Sequence, residues 1–454
     1  MGVRDYWVPE SFIDANRKGI KGFINLSQKH QVRLAFYIWI AGTSRRRHKK
    51  EEGFMSIGHM DLEKAFGRGG FEKINNALNI FEVTKQWWWS KKLTKAYKPR
   101  ELVQTVKDKY LAQVRPKITR LITLDGQAIR TLPDAIAAKD LDGVTATAWK
   151  EAKPFNSIPV DLDKMRELYE HLKHMPTKKI GDLFIDAAAD DVTYRYEILG
   201  QLIRLAHTDV AGRGFISHRY AEGRTGRLYA RGISLQTAPR IIRKAALHGL
   251  YDYDIENCHY AIFSQLTERY NYECIGIKHY LAHKNEIREG IAHSVGITKE
   301  RAKMCLLALV FGARLSEWED NAIPQAIGSR AAALFNDARF KAIADDVLEG
   351  RKVILSHWEK RRTTLLNDVG KAVGTKEPAN VRLAHIIQGI EAKALRSAIN
   401  MYPDEVVLLM HDGFVSKRAL DVELIEKAIY TDTGMKLEVS GGVITLPADL
   451  DFGV

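Results

Sequence analysis

Two acidic stretches, far apart in the chain, have the residue types that phosphoryl transfer needs. Leu250-Tyr-Asp-Tyr-Asp-Ile-Glu-Asn-Cys-His259 delivers Asp252 and Asp254 on a short β-prone run. Val406-Val-Leu-Leu-Met-His-Asp-Gly-Phe-Val415 opens with five apolar residues that read as a buried strand. There His411-Asp412-Gly413 makes a tight turn from which a second strand returns. One aspartate at a strand end is ordinary turn chemistry. Two on separate strands suit a pair of Mg²⁺ ions, which take hard oxygen ligands and bridge protein carboxylates to phosphates, with Mn²⁺ as a substitute. Between the two stretches, Thr298 caps a helix that Gly312 ends, and this helix carries Lys299, Lys303 and Phe311. Lys303 and Phe311 lie eight residues apart, a rise of ~12 Å. That places a cation for a triphosphate at one end and an aromatic platform for a base at the other. The plainer alternative is a core helix with snorkelling lysines.

These groups need elements to hold them. Upstream of the first acidic stretch lies a basic segment with Arg219, Arg224, Arg227 and Arg231, followed by Arg240 and Arg243. Arginine forms bidentate bonds to phosphate oxygens, so the segment suits a nucleic-acid backbone, although a charge run also reads as a solvated loop. Nearer the start come a helix over 28–40, the basic link Arg45, Arg46, Arg47, Lys49 and Lys50, and a short helix over 60–66. The break Gly67-Arg68-Gly69-Gly70 leads to a helix over 71–81 and an aromatic, basic ribbon over 83–98. That order is the order of a winged helix. Lys73, Asn75, Asn76 and Asn79 then fall where base or phosphate contacts are made. In the alternative reading, Trp87, Trp88 and Trp89 fill a small helical core. Residues 106–206 read as long amphipathic helices (101–114, 161–174, 193–206) broken by Pro154, Pro159 and Pro176, with no chemistry of their own.

Composition fits this picture. The 454 residues carry 69 Lys plus Arg against 56 Asp plus Glu, a net +13, on a chain that is 45% hydrophobic. A folded, basic protein of several structural units has an acidic polymer as its first expected partner. Cys258, Cys274 and Cys305 show no C-x-x-C pair and no secretory leader precedes them, so a reducing cytoplasm is expected rather than a disulfide framework. The apolar runs over 34–41 and 304–310 fall short of the ~20 residues of a spanning helix, and no membrane partner is expected.

Taken in order, Thr225-Gly226-Arg227, Asp254, Lys303 through Phe311-Gly312, and His411-Asp412 resemble the T-x-x-G-R element and motifs A, B and C of family A DNA polymerases and single-subunit phage and mitochondrial RNA polymerases. Asp254 rather than Asp252 fits motif A, because Ser264-Gln265-Leu266 then falls in register. Gln388-Gly389 is similar to the Q-G element ahead of motif C and sits before a helix expected over 390–400. The resemblance covers about half the chain, residues 212 to 430. It implies an α+β right hand: an N-terminal winged-helix-like unit (1–105), a thumb-like helical region (106–206), a palm with motif A (207–290), fingers with motif B (291–380) and a palm with motif C (381–454). It also implies that Asp254 and Asp412, with the Ile255 carbonyl, hold two Mg²⁺. Lys303 and Lys299 neutralise the triphosphate, while Phe311 and His259 face the nucleotide. Arg227, Gln236, Arg240, Arg243, Gln388 and His411 touch nucleic acid, as do Arg45, Arg46, Arg47 and Lys73 of the N-terminal unit.

Two departures bear on the product. The DNA polymerases carry Glu five residues after the motif A aspartate and His-Asp-Glu in motif C; this chain has His259 and Gly413. With no acidic gate against the 2′-hydroxyl, RNA synthesis is expected, as a transcriptase or primase on a DNA template, with nucleoside triphosphates and nascent RNA as partners. Phe311, where the RNA polymerases place Tyr, argues instead for a DNA polymerase. No acidic trio for a proofreading exonuclease stands out upstream. The setting expected is a phage or plasmid-like replicon in a bacterial cytosol, served by accessory replication or transcription proteins. A reading from another class is a non-catalytic DNA-binding initiator, which retention of Asp254, Asp412 and Lys303 disfavours.

Overall fold

The fold is that of a computed structural model, which describes residues 7–41, 54–57, 59–84, 95–111, 121–124, 128–129, 157–174, 192–218, 220–230, 233–319 and 321–446. Arg45, Arg46, Arg47, Trp87, Trp88, Trp89, Arg219 and Arg231 lie outside them. The described chain mixes helices with six small sheets, and every pairing among the described strands is antiparallel.

The sheet that matters for chemistry has four strands in the order Val406–Leu409, Gly413–Ser416, Tyr251–Ile255, Val439–Val443. Side chains alternate across a strand, so Tyr253 and Ile255 go to one face and Asp252 and Asp254 to the other. On the first face Tyr253 stacks on Phe414 with ring centroids 5.1 Å apart. Both join a core with Ile262, Phe263, Ile387, Ile390 and Ile425, from the helices Cys258–Arg269, Ala379–Met401 and Val422–Thr433. On the second face Val415 and Leu408 enter a separate core with Met165, Leu168, Leu199 and Ile242. One end of the carboxylate face is therefore covered, and the Asp254 end stays open to solvent.

Between the two central strands the chain runs, besides Cys258–Arg269 and Ala379–Met401, through six further α-helices: Ile275–Ala282, Lys284–Val295, Lys299–Val310, Ala322–Ile327, Ala331–Asn336 and Ala338–His357. The Thr298 hydroxyl accepts from the Arg301 amide to start the third, and Gly312, at φ +81°, turns the chain out of it. The helix expected over 390–400 is longer, Ala379–Met401. Gly389 does not break it; a Cβ there would stand 2.5 Å from the Asn367 side chain, so the glycine admits a close neighbour. Gln388-Gly389 thus lies inside the helix rather than ahead of it.

Near the N-terminus, helices Gln28–Ile40, His59–Phe66 and Gly70–Leu78 accompany a three-stranded sheet in the order Met55–Ser56, Ala96–Pro99, Phe81–Val83. The last helix stops earlier than its apolar pattern predicts. Asn79 takes φ +53°, and Asn75 binds both the N–H and the carbonyl of Phe81, at 2.7 and 3.0 Å. That bonding fastens the turn and starts the strand three residues on, so Asn75 is buried and spoken for, contrary to its expected place among the contact residues. Lys73 and Asn76 are exposed on the same helix, and Asn79 is exposed just past its end.

The described helices of the 106–206 region, Leu162–His174 and Val192–Leu205, share one apolar core with Phe12, Leu34, Trp39 and Val103. Polar links cross the same seam. Gln201 donates to the Trp39 carbonyl at 3.0 Å, Arg204 to the Tyr110 carbonyl at 2.9 Å, and the wholly buried Lys107 ammonium meets Glu197 at 3.1 Å and also donates to the Ala41 carbonyl. Among the described residues no helix is long and apolar enough to cross a membrane. The three cysteines are free thiols and buried.

Candidate active site on the carboxylate face

Asp254 pairs across the ladder with Gly413, and the Ile255 amide donates to the Asp412 carbonyl at 2.8 Å. The hairpin closes through Met410 N–H to the Gly413 carbonyl, also at 2.8 Å. Backbone hydrogen bonding alone thus brings two aspartates 158 positions apart in sequence to adjacent places. Gly413 is required by this approach: a Cβ there would meet the Tyr253 carbonyl at 2.2 Å and Asp254 Oδ1 at 3.2 Å. A glutamate at 413 has no room in this arrangement.

The electrostatics of the face are those of a site short of positive charge. Withdrawal from bulk water, then repulsion from Asp412, Asp252 and Glu256, pushes the Asp254 carboxyl up to about 8, against the pull of Lys303. Asp252 is also raised, first by withdrawal from water and then by Asp412, with Arg243 and Arg240 opposing. Glu256 is spoken for otherwise. It takes Lys284 at 2.6 Å and the Ser440 hydroxyl at 2.7 Å, and the Lys284 bond holds its carboxyl below the usual range.

Lys303 is exposed, one face of its helix toward the carboxylates. Lys299, one turn earlier, is instead tied to Glu289 at 2.6 Å on the surface. Phe311 ends the helix, and its ring meets the His259 edge at 5.0 Å and 75°. His259 in turn touches an ion pair between Arg227, expected at nucleic acid but here turned inward, and Glu391, which the sequence did not single out. Arg227 Nε donates to Glu391 Oε2 at 2.7 Å, a second guanidinium nitrogen reaches the same oxygen, and that nitrogen stands 2.8 Å from His259 Nε2. Glu391 is wholly buried on Ala379–Met401, one turn after Gln388. The signal for it was a lone acid in the apolar run Ile386-Ile387-Gln388-Gly389-Ile390-Glu391-Ala392.

The hairpin Tyr220–Glu222 with Leu228–Ala230 carries Arg224 and Arg227 in and beside its loop, where Gly226 at φ +93° sits against Val369. Gln236 is a correction. Its amide is buried, accepts from Ala230 N–H at 2.8 Å and donates to the Leu228 and Leu409 carbonyls at 3.0 and 2.9 Å. It pins this hairpin to the strand leading to Asp412 and has nothing left for nucleic acid. Tyr229 packs on the His411 ring at 4.9 Å. Arg240 is exposed and Arg243 half-buried, donating to the Ala238 carbonyl at 2.7 Å; both act on Asp252. Asp254, Asp412, Lys303, Phe311, His259, Arg227, Arg240 and Arg243 thus come together, whereas Lys73 lies on the N-terminal helix Gly70–Leu78.

Among the described residues no three His, Cys, Asp or Glu side chains form a ready-made metal cluster. The donor set that remains is Asp254, Asp412 and the Ile255 carbonyl. Its hard oxygens fit a divalent cation, which would also relieve the repulsion that, after withdrawal from water, raises Asp254.

No family model and no curated protein matches the chain. Among solved structures, the POL domain of Pol1 from M. smegmatis, in complex with a DNA primer-template and dNTP, is similar over 75% of this chain and 73% of that chain, at 13% sequence identity and a TM-score of 0.44.

Proposed function

We propose that the chain is a template-directed nucleotidyltransferase that joins nucleotides by a two-metal mechanism. One observation carries the reading: Asp254 and Asp412 stand side by side on an open sheet face, under the charge of Lys303. Two Mg²⁺ ions, held by Asp254, Asp412 and the Ile255 carbonyl, would supply charge neutralisation at the reacting phosphate. The chain's own side chains position the substrates. Lys303 pairs with the departing phosphates, Phe311 stacks on the incoming base, and Arg240, Arg243 and Arg224 offer cations to the nucleic-acid backbone. The strand's 3′-oxygen forms the new bond to the α-phosphorus, and pyrophosphate leaves.

For the product, the arrangement favours RNA on a DNA template, by transcription or primer synthesis. The carboxylate beside His259 is Glu391, which is wholly buried and neutralised by Arg227. Five residues after Asp254 the chain thus offers an imidazole, His259, in place of an acid, which supports the RNA reading. Phe311, which lacks a hydroxyl, favours the second reading, a DNA polymerase. The N-terminal unit, with Lys73 exposed on the helix Gly70–Leu78, would dock duplex DNA in the manner of a winged helix.

Incubating the full chain and Mg²⁺ with a single-stranded template, with and without primer, and labelled NTPs or dNTPs tests the reading. Incorporation of NTPs is expected. No incorporation of either nucleotide defeats it, and dNTP use with an absolute primer requirement defeats the RNA assignment.

A further inference from the structure

We infer that Asn367 is a positioning residue, whose side chain holds the hairpin over 220–230 so that Arg224, at the hairpin's tip, meets the backbone of bound nucleic acid. The inference rests on the proposed nucleotidyl transfer and names what keeps one of its nucleic-acid contacts in place. The hairpin turns over Gly223-Arg224-Thr225-Gly226. Gly226 N–H donates to the Gly223 carbonyl at 3.2 Å, so Arg224 and Thr225 are the two corner residues, and Gly226 takes φ +93°. Arg224 is exposed there and forms no ion pair among the described residues.

The second corner is gripped from outside the hairpin. Asn367 Nδ2 donates to the Thr225 carbonyl at 3.0 Å and to the His385 carbonyl, on Ala379–Met401, at 3.2 Å. Its Oδ1 accepts from the amides of Val369 and Lys371 at 3.3 and 2.9 Å. An amide side chain has two donors and two acceptor sites, and here each is used. Its orientation is set as well, because a flipped amide would turn its oxygen on carbonyls and its N–H groups on N–H groups. Asn367 starts the turn between the strands Thr364–Leu366 and Ala372–Gly374, so the grip comes from a small sheet. The same turn holds the hairpin twice more. Lys371 meets Glu222, whose side chain is 8% exposed, at 2.5 Å, and a Cβ on Gly226 would stand 2.4 Å from the Val369 side chain. A bond to Thr225 does nothing to close the loop of Asn367 itself; it fastens a turn whose first corner is an unpaired cation. A cation on a fastened turn meets a phosphate with little left to order on binding.

The test measures binding of a labelled primer–template to the full chain by fluorescence anisotropy across a salt series, at a temperature where thermal melts show each variant folded. Arg224→Gln should weaken binding several-fold and flatten the log–log salt slope by about 1, the mark of one lost phosphate contact. Asn367→Ala should flatten the slope in the same way, because it acts through Arg224. The double variant should then bind no more weakly than Arg224→Gln alone, since the two changes remove one contact. If Asn367→Ala does not fold, Glu222→Gln takes its place: it keeps its shape, loosens the grip of Lys371, and should flatten the slope by a smaller amount, again only while Arg224 is present. An unchanged slope in Arg224→Gln or in the grip variant, additive losses in the double variant, or a parent chain that binds no primer–template overturns the inference. A parent chain that binds primer–template with the expected variant effects but incorporates no nucleotide defeats instead the transferase reading on which it rests.

Discussion

Two places in this molecule crowd charged side chains together, and they do so in opposite ways. At the seam between the N-terminal helices and Val192–Leu205, Lys107 and Glu197 are 0% and 5% exposed and face each other at 3.1 Å. Gln104 and the Ala41 carbonyl take up other valences of the pair. On the carboxylate face Asp252, Asp254 and Asp412 share a small region; Arg243 and Arg240 act on Asp252, while at Asp254 the charge of like sign outweighs Lys303. The first site is balanced and sealed; the second is unbalanced and open. A balanced, sealed pair makes a joint, because neither partner can leave without exposing the other's charge to an apolar interior. An unbalanced, open cluster makes a binding site, because a cation from solution can restore the balance that the chain leaves undone.

The sharpest way to break the comparison is to remove one acid from the open site. Asp254→Ala and Asp412→Ala should each reduce nucleotide incorporation by at least about a thousandfold, a transition-state cost of ~4 kcal/mol, measured in the primer-extension assay. Thermal unfolding without Mg²⁺ should show the altered chain no less stable than the parent, since the change removes a repulsion. Retained incorporation would remove Asp254 or Asp412 from the chemistry. At the joint the expectation reverses: Lys107→Met alone should cost about 3–5 kcal/mol, the price of a buried charge stripped of its partner. Denaturant melts measure it, and pairing Lys107→Met with Glu197→Leu should recover most of the loss.

The pH dependence sharpens the same contrast. Asp254 binds a proton more tightly folded than unfolded, so its contribution to stability is present below about pH 4, its ordinary range, and is lost as pH rises toward about 8. Unfolding midpoints of the metal-free chain should therefore fall across that window relative to Asp254→Asn, and Mg²⁺ should narrow the gap from the high-pH side. Parallel pH profiles for parent and variant would show that the carboxylates do not repel as drawn.

Much of the open site was legible in the sequence because its elements are local. The apolar run before His411-Asp412, the Thr298 cap and the Gly312 stop each fix a piece of backbone with residues a few positions apart. What the sequence hid are the contacts that depend on which helix lies against which. Glu391 reads as one polar residue in an apolar helix until that helix is laid behind His259. Gln236 reads as a donor for nucleic acid until the hairpin folds over it and its amide is consumed by three backbone groups. Gly389 reads as a helix start because glycine is common at helix ends, yet here it is small for the sake of Asn367. Asn75 and Asn79 reopen the question in the N-terminal unit: both were expected on one contact face, and the αL turn at Asn79 separates them.

The smallest expected effect lies in that unit, where the comparison extends to a third kind of charge. Lys73 is exposed on Gly70–Leu78, its neighbour Glu72 is engaged by Lys95 at 2.7 Å, and the helix is braced underneath by Phe71 against Tyr97 at 5.2 Å. It is neither a sealed joint nor an unbalanced cluster but a cation standing on a rigid support. Such a group adds one phosphate contact and one released counterion. Lys73→Gln should therefore weaken duplex DNA binding only several-fold at moderate salt and flatten the log–log salt slope by about 1. Fluorescence anisotropy with a labelled duplex across a salt series measures both quantities. The loss should be uniform across duplex sequences, because a phosphate contact carries no base information. Deleting the whole unit is the wrong instrument, since Leu34 and Trp39 belong to the core that also holds Leu168 and Leu199, and the truncated chain would lose its support along with the proposed docking helix. An unchanged slope in Lys73→Gln would take this helix off the DNA and leave the duplex to the arginines beside the carboxylate face.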